Sequence, residues 1–375
     1  MKVNRIPARG ALLAALFFAL ALVPSFAQIP STETWRVLDS AKVAFAKGEL
    51  GEALALGEKA RNGHRASMER MKETLSEALA PSEVRRSGED IAQVREILLR
   101  RNEAAAVEIL DEVRSNALAA RLVKTTGDVV AWLDKRSVLP EADLLSGYVY
   151  EAEGEYAVAS EHFRQAWERR EFFDVPEERF TVLYALADLA HKTGDFAARE
   201  RYLLAVLSED PVFGKPGAES ASLKAMIRTL DTERTTDKFF RLYRHRAFFA
   251  LPAYQKLSSF YYLDSRGRLG SALPVAVLAA VVSLTSLDEA VGRYEFSYSF
   301  SSFTDLLDRC GAHPEIAEWA GRAGHWESFL SLARVLDARG NASLALSIRN
   351  DLALHCPDGE TAKKAAGEAR AAAER

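Results

Sequence analysis

Cysteine is scarce. Only Cys310 and Cys356 occur in 375 residues, which excludes a disulfide-dense scaffold and a zinc module built on four thiolates. Glycine (21) and proline (12) are too few for a turn-rich all-β chain or a flexible linker protein. A basic excess is also missing. Lys and Arg number 49 against 53 Asp and Glu, a net charge of −4, which argues against a general nucleic-acid binder. Catalytic signatures are absent as well. No Gly-x-Ser-x-Gly elbow, His-Glu-x-x-His helix or Gly-x-x-x-x-Gly-Lys loop occurs. Gly214-Lys215-Pro216-Gly217 has no second glycine at the phosphate-loop spacing, and proline has no N–H to offer a phosphate. No carboxylate pair stands out as a glycosidase pair. His313, His325 and His355 share a region with the two cysteines, but their spacings match no standard zinc pattern. The expectation is a non-enzymatic protein with no cofactor and no metal.

What is present is globular: 48% hydrophobic and 27% charged residues. Residues 1–27 read as a signal peptide. Lys2, Arg5 and Arg9 precede an apolar run from Ala11 to Val23, Pro24 breaks it, and Ser25-Phe26-Ala27 offers small residues for cleavage. The run is shorter than the ~20 residues of a bilayer-spanning helix. An exported protein is expected, periplasmic or secreted, with no stable transmembrane span after leader cleavage and no nucleic-acid partner. Removing the three leader cations takes the net charge from −4 to −7. An oxidising compartment leaves Cys310 and Cys356 either paired as a disulfide or free. A second uncharged stretch, Leu269 to Leu287, carries Pro274 and several hydroxyl residues. It reads as a helix buried on all faces rather than a membrane span.

From Glu33 onward the apolar spacing is mostly helical, which gives an all-α expectation. The clearest unit is Leu144 to Trp167: Gly147 and Tyr150 on a first helix, Gly154-Glu155-Tyr156 as the turn, then Ala159, Phe163 and Ala166 on a second. Gly147 allows close helix approach, and Gly154 can take the positive φ common at helix C-termini. The frame returns at Leu183 to Pro211 around Gly194-Asp195-Phe196, and at Phe329 to Pro357 around Gly340-Asn341. Looser copies surround Gly48 and Gly267, and Asp90 to Val113 keeps the rhythm. These residues resemble the tetratricopeptide repeat (TPR), a helix–turn–helix unit of about 34 residues. The turn glycines lie 106, 40, 73 and 73 residues apart, so the array is irregular. The resemblance implies a TPR-like solenoid of helical hairpins, a superhelix whose concave face binds a protein or peptide partner. The expected layout is a helical region at 28–210, a loop at 211–222 rich in Gly and Pro, a second helical region at 223–356 and a polar, Ala-rich tail at 357–375. Pro81-Ser82-Glu83 is a further break.

In this repeat type the first helix lines the concave face, which nominates Tyr148, Glu151, Tyr184, Asp188, His191 and Tyr261 as partner-binding residues. Family members that hold acidic C-terminal peptides use Lys and Asn there. Tyr, Glu, Asp and His at these positions favour apolar or cationic segments instead. A second candidate is the segment 238–262. Nine aromatics fall between Phe239 and Tyr262, accompanied by basic residues and no acid. Arg241, Tyr243, Arg244, Arg246 and Tyr254 form an alternative patch for an anionic cell-envelope polymer or small ligand. The plainer expectation is that these rings form the core of central helix pairs. Tyr294, Phe296, Tyr298 and Phe300 alternate with polar residues, and helix or irregular structure is expected there for want of a partner strand. A third functional reading is a helical accessory domain of an envelope-remodelling enzyme.

Overall fold

The computed structural model describes residues 32–80, 90–116, 119–215, 218–232, 236–264 and 268–374. The expected leader at 1–27, the break at Pro81-Ser82-Glu83, the turn at Gly267 and Pro216-Gly217 lie outside them. The regular structure of the described residues is helical except for an antiparallel pairing of Gly214–Lys215 with Ala218–Glu219. It forms two compact units that divide between Leu189 and Ala190.

In the first unit, α1 (Thr32–Lys47) and α2 (Leu50–Leu79) form a hairpin. Gly48 closes it at φ +82°, and Glu49 N–H donates to the Ala44 carbonyl at 3.0 Å. α3 (Ile91–Arg100) and α4 (Ala104–Ser115) follow, with Asn102 at φ 61° between them. The short α5 (Ala119–Leu122) leads to α6 (Thr126–Arg136). A reciprocal cap starts α6: Asp128 N–H donates to the Thr125 hydroxyl, and the Asp128 carboxylate accepts from Thr125 N–H. Met68, Leu75, Leu98, Leu110, Trp132 and Leu133 gather into one core across α2, α3, α4 and α6.

α7 (Pro140–Glu153) and α8 (Tyr156–Glu168) are the pair that the sequence marks most clearly. Pro140 starts α7, where its missing N–H costs nothing. Gly154 ends it at φ +84°. Ala159, Phe163 and Ala166 are fully buried. Position 147 must be glycine for packing reasons, since a Cβ there would sit 2.4 Å from two ring carbons of Phe163. On its other side α7 meets the first hairpin through Leu38, Ala41, Ala60, Ala142 and Leu145. α9 (Glu178–Lys192) contains the division between the two units.

The second unit holds α10 (Phe196–Leu207), α11 (Ala221–Thr232), α12 (Thr236–Leu242), α13 (Leu251–Ser259) with a π turn at Phe260–Asp264, and α14 (Leu269–Tyr294). α15 (Phe303–Ala312), α16 (Pro314–Arg322), α17 (His325–Ala338), α18 (Ala342–His355) and α19 (Gly359–Ala373) complete it. α14 is long and apolar enough to cross a membrane, yet every residue from Ala272 to Leu287 is buried. It packs against α13 and α17 as an internal helix. Residues 295–302 are irregular, one of the two conformations expected there. α17 and α18 pair around Gly340 at φ +88°. The polar tail is a capping helix: α19 lies on α18 through Thr361, Ala365 and Ala369, and its first turn is capped by Asp358.

The expected division at 211–222 is corrected. Asp210 is only 1% exposed. Its Oδ2 accepts from the Tyr254 hydroxyl at 2.5 Å and faces His245 Nε2 at 2.7 Å, and its Oδ1 accepts from Val212 N–H. Phe213 is buried beside the Tyr254 ring. The supposed linker is therefore bolted into the second unit, and the units part upstream.

Two expectations follow. Gly147→Ala in an ordinary helix would gain about 1 kcal/mol, but forcing a methyl into Phe163 costs about 1–3 kcal/mol. Thermal unfolding should show a net loss of stability, partly restored in the Gly147→Ala, Phe163→Leu double variant; a stabilised single variant would contradict this packing. His325, at the start of α17, is buried against Trp319 with neither ring nitrogen bonded, and burial pushes its pKa down to about 4. The unfolded chain takes up a proton near pH 6.5 and the folded chain does not, so stability is present above that pH and is lost as pH falls towards 4. Denaturant unfolding should show wild type losing about 2 kcal/mol more than His325→Leu between pH 7 and pH 5. Equal losses would remove His325 as the cause.

Candidate functional site

Four of the nominated residues fall in the first unit, on α7 and α9. Tyr148 is not a surface group. Its ring is buried edge-on to Phe163 at 5.2 Å and near Phe45 at 6.3 Å. Burial raises its hydroxyl pKa well above the usual range, and the charges of Glu151, Asp188 and Glu178 add to this. Tyr148 is thus a packing residue, and the nomination is corrected to that extent. The same observation places the acids, because Glu151 from α7 and Asp188 and Glu178 from α9 all act on one phenol. Glu151, Tyr184 and Asp188 are half-buried.

Glu141, on the same helix, extends this acidic strip. It is buried, its Oε1 accepts from Asp174 N–H at 2.9 Å, and its Oε2 has no partner. Burial, with Glu178 and Asp174 nearby, pushes its pKa up to about 8. Burial also raises Glu178, which Lys42 partly offsets, and Asp174, which Arg136 offsets through a 2.9 Å bond from Nη2. Asp143, two residues beyond Glu141, has a different environment. Arg61 from α2 and Arg169 after α8 each hold one of its oxygens at 2.9 Å. Asp143 is a structural tie, whereas Glu141 and Glu178 leave a carboxyl-rich face that protein cations do not fully compensate. Glu141, Asp174 and Glu178 escaped the sequence reading. The signal for Glu141 was its position two helical turns before Tyr148 on the same face.

The nominated residues of the second unit do not form a comparable surface. His191 is exposed beside Phe196. Tyr261 is buried, donates its hydroxyl to Glu200 Oε1 at 2.8 Å and lies under the Arg268 guanidinium at 4.7 Å. Its hydroxyl is used within the fold.

The alternative basic aromatic patch is corrected as well. Phe240 of α12, Phe303 of α15 and Phe329 of α17 form a buried cluster with centroids 4.8–5.7 Å apart. Tyr254 is fully buried on Asp210, and the Tyr243 hydroxyl meets Thr229 at 2.8 Å. Arg244 pairs with Asp288 at 3.0 Å and covers Phe300, and Arg246 pairs with Glu289 at 2.5 Å. Arg241 donates to the Ser301 carbonyl at 2.8 Å. The acids that complete this region come from α14, more than forty residues away, so the local positive field expected from the segment is largely cancelled.

Cys310 and Cys356 are free thiols, the first buried and the second half-buried, and burial pushes both up to about 12. Among the described residues no group of three His, Cys, Asp or Glu side chains is placed to hold a metal ion.

No family model matches the chain. An uncharacterized protein of Treponema pallidum (strain Nichols) is 35% identical over 339 residues, which cover 90% of each chain. Identity of that degree over nearly the whole of both chains means that this chain belongs to the same family as the treponemal protein.

Proposed function

We propose that this protein is an exported, non-enzymatic scaffold of tetratricopeptide-like helix pairs that binds a protein or peptide partner through a cationic segment. The observation that carries this reading is the convergence of Glu151, Asp188 and Glu178 on Tyr148, with the unpartnered oxygen of Glu141 on the same helix. Glu141 and Glu178, whose pKa values burial and neighbouring acids hold up, release that strain when a cation approaches. A lysine or arginine side chain of a partner supplies such a charge, and the half-buried Tyr184 ring offers a face for its hydrocarbon stem. The helix pairs at Gly48, Gly154 and Gly340, each closed by a positive-φ glycine, support the repeat-like architecture. The leader-like residues 1–27 support export.

The test is crosslinking of the full chain in its native compartment, with identification of what is attached. Glu151→Lys with Asp188→Lys should reduce partner capture at least about tenfold, the scale of one lost desolvated charge pair, without changing the unfolding temperature by more than a few degrees. Capture by wild type should weaken as salt rises. Undiminished capture by the doubly reversed variant would reject the acidic strip as the docking surface.

A further inference from the structure

A separate cleft of about 520 Å³ lies wholly within the second unit. It is lined by Tyr262 and Leu263 of the π turn and by Arg334, Asp337, Arg349 and Glu368 from α17, α18 and α19. The two guanidinium groups and two carboxylates of the lining cancel, so an arriving anion meets no net charge of its own sign.

The hydrogen-bond inventory is unbalanced. Arg349 is 4% exposed. Its Nη2 donates to Asp337 Oδ2 at 3.1 Å and its Nε to Glu368 Oε2 at a long 3.3 Å. Its Nη1 is buried and has no acceptor. A guanidinium can only donate, so only an acceptor satisfies that nitrogen. Glu368 is the loosest of the Arg349 partners and is held on its other side by Arg334 Nε at 2.9 Å. Arg334 keeps a second carboxylate, Glu327 at 2.5 Å, whether or not Glu368 moves. Leu263, also in the lining, is 63% exposed, a large apolar side chain without cover.

We propose that this cleft binds a small organic carboxylate carrying an apolar group. Its carboxylate accepts from Arg349 Nη1, the nitrogen left without an acceptor, as Glu368 gives way, and its hydrocarbon part covers Leu263 and the Tyr262 ring. This site is independent of the acidic strip on α7 and α9.

Calorimetric titration of the full chain with 4-phenylbutyrate and with its uncharged amide tests this. The carboxylate should bind saturably, and the amide at least tenfold more weakly. Glu368→Gln, which removes the competing anion, should tighten binding of the carboxylate. Arg349→Lys, which keeps the charge and loses the Nη1 donor, should weaken it at least tenfold. Should Arg349→Lys fail to fold, the surface variant Leu263→Asp gives the same loss. No saturable binding to wild type, equal binding of the amide, weaker binding by Glu368→Gln, or unchanged affinity in Leu263→Asp would each overturn the proposal.

Discussion

The ring of Phe163 occupies the space that any side chain at position 147 would need. That single contact sets the depth at which α8 lies against α7, and the rest of the first unit is arranged around it. With α8 seated there, Tyr148 is held between Phe163 and Phe45, and Val149 is left for α1 and α2. Every residue of α7 from Pro140 to Val149 is consequently buried. A helix enclosed on all faces has nowhere to put a charge cheaply, which is why its acids govern the chemistry of this unit.

Those acids meet burial in two ways. Asp143 stays with two arginines, so its charge is compensated by bonds from α2 and from the end of α8. Glu141 has one backbone donor and acidic neighbours, and it holds its proton to about pH 8 instead. The second unit shows the same division. Asp210 is compensated by His245, Tyr254 and a backbone N–H, and its pKa is lowered in spite of burial. His325 has no partner and stays neutral to about pH 4. A buried polar group is neutral or paired, and the groups satisfied only in part mark the places where a ligand has something to supply.

Much of the architecture could be read from local spacing. The small and large residues of 144–167, the turn glycines at 48, 154 and 340, and the uncharged run that became the internal helix α14 all encode their own environments. Helix faces repeat every few residues, and a positive φ is a local demand that glycine meets best.

Tertiary structure alone decided which side chains were free. The sequence pattern nominates Tyr148 and Tyr261 for a binding face, yet one is enclosed by Phe45 and Phe163 and the other donates to Glu200. Arg244 and Arg246 look like a basic cluster along the chain, but α14 brings Asp288 and Glu289 to them. Asp210 opens a stretch with the composition of a linker, yet Tyr254 and His245 anchor it. Periodicity and turn chemistry are properties of neighbouring residues, so the chain itself determined its helices and their pairing turns. Charge compensation and burial depend on partners tens of residues away, and only the packed fold determined those.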